Sequence, residues 1–287
     1  MEEKNQLTIN WFPGHMTTAL RVMKEELKNI DAVIYMLDAR CPVSCLNPKF
    51  GEIFGNKPIL YILNKSDLAG MGIKQFFINH PRAKKLLSQG NNAVAVVNSA
   101  QSGAGKLVVG NLIKLLSEKI SSAKARGINK ILRVCVIGVP NSGKSTLINN
   151  LSGKAKTVTA DKPGVTRQKQ WVAVNDHIWL MDTPGTLWPA FDNQQVAKNL
   201  AYVGSIRDEV VNLVDLSKAL MADLEKLQSG CIEARFGAGD FLEICKKRGY
   251  ILKGGLLDEG RAAKAIVWEF RAGKLGKFNL DTLDGDL

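Results

Sequence analysis

Apolar positions along the chain fall into two kinds of run. The continuous ones are AVIYMLDAR from Ala32, PILYILNKSD from Pro58, NAVAVVNSA from Asn92 and ILRVCVIG from Ile131. Runs of this length without polar alternation predict strands buried on both faces, as in a parallel sheet. Between them lie stretches with helical spacing: His15 to Asn29 (Met16, Ala19, Leu20, Met23, Leu27), Lys106 to Ile120, and the segment opening at Lys144. Two short runs, WVAVN from Trp171 and HIWLMD from His177, flank an Asn175-Asp176 turn and predict a hairpin. SSAKARGINK from Ser121 reads as a charged, glycine-containing linker. Strands alternating with helices predict an α/β unit with a mostly parallel sheet covered on both faces. Beyond about Val196 the strand runs stop, and helical periodicity continues through Val210 to Leu227 and Arg261 to Phe270. The expected division is therefore an α/β domain over 1–195 and a small all-helical C-terminal domain over 196–287, sizes within the usual domain range.

Composition adds limits. No apolar run approaches the ~20 residues needed to cross a bilayer, and MEEKNQLTIN has neither an apolar signal core nor an Arg-rich transit character. The chain reads as cytoplasmic, and nothing in it demands an oligomer, so a monomer is expected. The five cysteines form no CxxC pair, and the three histidines are scattered, so no zinc-type ligand cluster is expected. Charge changes the picture more. The net charge is +12, and it is unevenly placed. Between Gly103 and Gln170 thirteen Lys or Arg stand against only Glu118 and Asp161; between Lys246 and Lys277 nine stand against Asp258, Glu259 and Glu269. Two separate basic concentrations point to a polyanionic partner such as nucleic acid.

The candidate chemistry sits at strand ends. GVPNSGKS, Gly138 to Ser145, matches GxxxxGK[ST] between a predicted strand and a helix. Its glycines let the loop of Pro140, Asn141, Ser142 and Gly143 wrap a phosphate, with backbone N–H groups from Asn141 through Thr146 pointing inward, and the helix start adds partial positive charge. Lys144 is placed to reach the β- and γ-phosphates and the Ser145 hydroxyl to ligate Mg²⁺. DTPG, Asp182 to Gly185, follows another strand; Asp182 can hold Mg²⁺ through water and the Gly185 N–H can sense a γ-phosphate. In NKSD, Asn64 to Asp67, one carboxylate can accept both N1–H and N2–H₂ of guanine, which makes Asp67 the base reader and selects GTP over ATP. Lys65 can lay its aliphatic stem along the base. NSA, Asn98 to Ala100, resembles the second base-contacting loop, with Ser99 and the Ala100 N–H beside guanine O6. In the polar loop from Val158 to Gln170, Thr166 is the choice for the hydroxyl that completes the Mg²⁺ shell, with Thr157 and Thr159 as alternatives. Near the C-terminus KKRGYILKGG offers Lys246, Lys247, Arg248, Tyr250 and Lys253 as an RNA-binding surface, basic groups for phosphates and an aromatic for a base. A solvated basic loop is the plainer reading of the same residues.

In most GTPases NKxD follows DxxG, whereas here NKSD and NSA precede the phosphate loop. With WFPGHM (Trp11 to Met16), LDAR at Leu37, GVPNSGKSTLIN, the DTPG stretch through Pro189, and the KRGYILKGG and GKLG segments, the chain closely resembles the circularly permuted YlqF/RbgA family. The resemblance covers essentially the whole chain. It implies a circularly permuted P-loop GTPase that binds GTP and GDP. It also implies slow GTP hydrolysis stimulated by ribosomal particles, in late assembly of the large ribosomal subunit, with rRNA and ribosomal proteins as partners. The position after DTPG, a Gln in Ras-like enzymes, is Thr186, followed by Leu187; neither can position water as Gln does. The resemblance points to His15 as the group that orients water, against a packing role on the first helix, and to Asn141 as a K⁺ ligand. Two other classes compete: a P-loop phosphotransferase of metabolism, which leaves NKSD unexplained, and an RNA-binding module with a vestigial nucleotide site.

Overall fold

The computed structural model describes Ile9, residues 27–152, 170–175, 177–183, 185, 187, 191 and 193–283. Six strands form one sheet: β1 (Ala32–Asp38), β2 (Ile59–Asn64), β3 (Asn92–Val96), β4 (Leu132–Gly138), β5 (Gln170–Ala173) and β6 (Ile178–Asp182), in the order β3-β2-β1-β4-β6-β5. Every neighbouring pair is parallel except β5 and β6, the hairpin about Asn175. The continuous apolar runs are explained by burial on both faces. Val33, Tyr35 and Leu37 of β1 enter one core, and Ala32, Ile34 and Met36 enter the other.

The second core is closed by α4 (Ala104–Leu115), through Val108 and Leu112, and by α6 (Lys144–Ser152), through Leu147 and Ile148. The first is lined by α1 (Phe50–Phe54) and α2 (Ile73–Asn79), which is followed by α3 (Pro81–Leu87). That core continues without a break into the C-terminal helices, among them Leu200, Leu220, Leu224, Ile266 and Phe270. The helices concerned are α7 (Gln194–Tyr202), α8 (Leu213–Leu227), α9 (Cys231–Phe236), α10 (Phe241–Lys247) and α11 (Glu259–Arg271). Four of them start where an Asn or Asp side chain accepts from the first free N–H groups: Asn193, Asn212, Asp240 and Asp258. A division after residue 195 falls in the first turn of α7.

Two expectations from periodicity are corrected. The stretch from Lys106 to Ile120 is not one helix but two, broken at Leu116. The linker reading of Ser121 onward fails over its first half, because α5 (Ser117–Ala125) runs through it. That helix has no fully buried residue and sets only Ile120 against the second core, so no apolar stripe marked its continuation past Ile120. It is ended by Gly127 at φ 68°, with Ile128 N donating to Ala123 O and Gly127 N to Lys124 O, the paired closure of a left-handed glycine cap. Of the first predicted helix only Leu27–Asn29 is described, as a 3-10 turn. No described helix is long and apolar enough to cross a membrane.

Candidate nucleotide-binding site

The sheet register assembles the site. Asp38 lies opposite Asn64, Met36 opposite Gly138 and Val136 opposite Asp182. NKSD, the glycine-rich loop and DTPG therefore leave the same edge of the sheet, beyond the carboxyl ends of parallel strands, where α/β sheets bind ligands. β3 ends beside β2, with Val96 opposite Leu63, and brings Asn98 to Ala100 to that edge.

Asn64, 1% exposed, ties the loops together. Its Nδ2 donates to Ser142 O at 2.8 Å, and its Oδ1 accepts from Ser99 N at 2.8 Å. Both ends of this amide are spent on the protein, so Asn64 shapes the pocket by locking the phosphate loop to the second base loop. Gly143 has φ +92°, and a Cβ there would lie 2.2 Å from Asn64 Nδ2; only glycine fits. Ser142 Oγ donates to Val139 O at 2.9 Å and tightens the loop from inside. Lys144, buried at the start of α6, donates from Nζ to Gly138 O at 3.2 Å and Val139 O at 2.8 Å. These two carbonyls at the loop mouth are weaker acceptors than phosphate oxygens would be. Ser145 and Thr146 follow in the first helical turn, half-buried, and Pro140 is buried.

The base side is more open. Asp67 is exposed and makes no hydrogen bond or ion pair among the described residues, leaving both carboxylate oxygens free to accept. Lys65 adopts φ 57°, a left-handed conformation uncommon for a long side chain, and its Nζ lies 3.2 Å from Asp38 Oδ2. Asp38 also takes both arms of Arg40, Nε at 2.9 Å and Nη2 at 2.8 Å. Burial alone would raise the Asp38 carboxyl; the Arg40 and Lys65 charges outweigh it and hold the group well below the usual carboxylate range. The Ala100 N–H, expected at guanine O6, donates to Asn98 Oδ1 at 3.1 Å in a local turn.

Gly185 of DTPG packs directly on the phosphate loop. A Cβ there would fall 2.7 Å from Pro140 Cα and 3.0 Å from Lys144 Nζ. Thr183 Oγ1 donates to Val136 O at 2.7 Å and fixes the start of that segment to β4. Thr166, His15 and the Asp182 carboxylate lie outside the described residues.

A family model described as 50S ribosome-binding GTPase matches residues 133–236. Ribosome biogenesis GTPase A of Bacillus cereus is 38% identical over 286 residues, 96% of this chain and 94% of that protein. The protein of the same name from Priestia megaterium is 37% identical over 96% of this chain and 97% of its own length. The crystal structure of GNP-bound YlqF from T. maritima superposes with a TM-score of 0.64 at 26% identity, covering 93% of this chain and 99% of that one. This chain belongs to the ribosome biogenesis GTPase A family. It is a GTPase with the permuted order expected from the sequence, and guanine nucleotide is its ligand.

In this GTPase the helical unit reaches the nucleotide loops at two places that no sequence motif marks. Ser205 Oγ donates to Pro140 O at 2.9 Å, and a Cβ on Gly204 would lie 3.1 Å from Asn141 Nδ2. Asn141 itself sits at φ 58°, which Asn tolerates better than most residues. Arg271 of α11 braces this junction: it donates to Ala201 O and Tyr202 O and grips both oxygens of Asp208. The second place is the segment from Phe278 to Asp281. Phe278 N donates to Leu68 O, Asn279 Oδ1 accepts from Gly70 N, and Leu280 N donates to Arg40 O. Asp281, buried, accepts from Val43 N at 2.6 Å and Ser44 Oγ at 2.5 Å, and Asn199 of α7 donates to the same Ser44 hydroxyl. Burial raises the Asp281 carboxyl to about 6 despite these donors.

The basic candidates are scattered over a different surface. Lys246 and Lys247 end α10 and are exposed, as are Arg248 and Lys253. Some already have partners: Lys247 donates to Gly237 O, and Arg248 donates to Arg235 O and stacks its guanidinium 5.1 Å from the Phe236 ring centre. Tyr250 is half-buried, with the Arg261 guanidinium over one face of its ring.

Proposed function

We propose that this GTPase is a nucleotide-dependent switch in assembly of the large ribosomal subunit, acting in the cytoplasm as a monomer. The helical domain, taken as 196–287, binds rRNA and neighbouring ribosomal proteins in pre-ribosomal particles. The observation that supports this most is the junction at Ser205 and Gly204. The first loop of the helical unit rests on Pro140 and Asn141 of the phosphate loop, so rearrangement around a γ-phosphate has a direct route to the helices. Gly185, packed on the same Pro140, supplies the γ-phosphate sensor on that route.

Mg²⁺ fits the donor set, which is all oxygen: Ser145, Thr166 and, through water, Asp182. When bound it offsets charge on the β- and γ-phosphate oxygens. The chain's own residues do the rest. Lys144 leaves its carbonyl partners for the phosphates, Asp67 accepts from the guanine N1–H and N2–H₂ with Ser99 and Ala100 beside it, and Lys65 covers the base. No Gln follows DTPG, so intrinsic hydrolysis is slow; on the particle His15 orients the attacking water, and Asn141 would hold a K⁺ ion, which would supply positive charge beside the phosphates. Lys246, Lys247, Arg248 and Lys253 contact RNA phosphates, and Tyr250 stacks on a base.

Co-sedimentation with isolated ribosomal subunits tests this reading. Large subunits should retain the protein more tightly with a GTP analogue than with GDP or no nucleotide, and should accelerate hydrolysis. By linkage the particle must then favour GTP over GDP by the same factor. Binding indifferent to the nucleotide removes the switch.

A further inference from the structure

LDAR at the end of β1 has no part in the contacts expected of a GTPase pocket, yet it places two opposite charges in a buried strand end. Arg40 is 2% exposed and Asp38 1% exposed. A buried ion pair does not reward a fold for stability alone, since packed apolar residues do as well or better there. Its value lies in what it holds. Asp38 uses Oδ1 and Oδ2 on Arg40 and has Lys65 Nζ 3.2 Å from Oδ2, from the neighbouring strand's loop. Lys65 is the residue of NKSD whose stem covers the base, and it stands at φ 57°, a conformation that persists only when its surroundings fix it.

We infer that Asp38, anchored by Arg40, is a positioning residue for nucleotide binding: it draws back the Lys65 ammonium so that the lysine stem lies flat beneath the purine. Without that anchor the ammonium is drawn to solvent and the stem swings off the base. Stacking of this kind takes any purine, so the Asp38–Lys65 pair contributes affinity and Asp67 contributes base choice. The inference rests on NKSD being the base loop. Arg40 also connects the pair to the helical unit, through Leu280 N donating to its carbonyl and the Phe270 ring 5.2 Å from its guanidinium.

The test is a double-mutant cycle on the full chain with fluorescent GDP. Asp38→Asn should weaken GDP about tenfold, the weight of one charge-assisted contact. Lys65→Met should weaken it at least as much. The double variant should bind as Lys65→Met does, because the anchor has nothing left to hold. In an Asp67→Asn background, Asp38→Asn should cost xanthosine diphosphate the same factor. Since Asp38→Asn leaves a buried Arg40 without its partner, Asp38→Asn with Arg40→Gln is measured beside it, with thermal melting of each. Losses that multiply, or an Asp38→Asn protein that binds GDP as the parent does, overturn the proposal. So does failure of both Asp38 variants to melt cooperatively, which makes the pair a folding element. If Asp67→Asn shows no turn toward xanthosine, the base-loop reading has failed; if it does turn while the losses multiply, only the positioning role has failed.

Discussion

The nucleotide face and the basic surface of the helical unit are both suited to phosphate, yet they are built in opposite ways. At the first, Asn64, Ser142 and Lys144 are buried, each polar group has a partner, and Gly143 leaves no space for a methyl group. At the second, Lys246 and Lys253 stand in solvent, and the few fixed groups, such as Arg248, are held by one carbonyl and one ring. A small ligand must be met by donors already in position, because each misplaced group costs binding. A long polyanion is bound by counterion release, which asks for charge and little geometry. Rigid spacing is the mark of the first kind of site and composition the mark of the second.

Substitutions on the two faces should differ accordingly. The largest effect is expected from Lys144→Ala, which should weaken GTP on the order of a thousandfold by titration calorimetry, since two buried charge-assisted contacts to phosphate are lost. Affinity close to the parent's would remove the phosphate-loop assignment. Asp67→Asn should cost GTP on the order of a hundredfold and turn preference toward xanthosine nucleotides, whose C2 oxygen accepts where guanine donates; competition between the two nucleotides reads this directly.

Asp281, which ties the loop after β1 to α7, gives a comparable effect on stability. Its carboxyl is raised when folded to about 6 from the usual 3.8. The folded state therefore holds the proton more tightly, and stability falls as pH rises from about 4 to about 6, then levels. The span is on the order of 3 kcal/mol. Asp281→Asn should flatten this part of the curve in urea unfolding, and parallel curves for the two proteins would contradict it. Asp38, held low, acts below that window: its stabilisation is lost only as pH falls under its unfolded value.

The smallest effect belongs to the basic surface. Removing charge at Lys246, Lys247 and Arg248 together should weaken particle binding about tenfold and lower the salt slope by about 2, leaving GTP affinity in isolation unchanged. Sedimentation at several salt concentrations measures both, and an unaltered slope would clear these residues of phosphate contact.

The same contrast governs what could be read before any coordinates. All four long apolar runs became parallel strands, β1, β2 and β4 in the interior of the sheet and β3 at its edge, because packing against both cores favours an unbroken apolar run. The phosphate loop, NKSD and DTPG were visible because their spacing is fixed by backbone geometry over a few residues. The second half of α5 was invisible, for past Ile120 it packs no side chain on the core and its residues from Ser121 read as a linker. The short helices α1, α2, α3, α9 and α10 offer too few turns for a period to show. Contacts set by tertiary closure left no trace either: Ser205 on Pro140, Arg271 on Asp208, Asp281 on Ser44. The Asp38–Arg40 pair had one signal, an acid and a base two apart ending an otherwise apolar run.

The segment from Phe278 to Asp281 carries a consequence for the order of events during synthesis. Asp281 bonds Val43, 238 residues earlier, and Phe278 meets Leu68 beside the base loop. A chain emerging from its N-terminal end has made NKSD, the phosphate loop and DTPG long before the residues that strap them to α7 exist. Each domain-sized portion folds as it appears, at ~5–20 residues per second. The nascent sheet must then wait several seconds with Val43 and Ser44 lacking their carboxylate, with Ser205 on Pro140 as the earlier of the two contacts. The loops gain this tie to α7 only after residues 278–281 have been made.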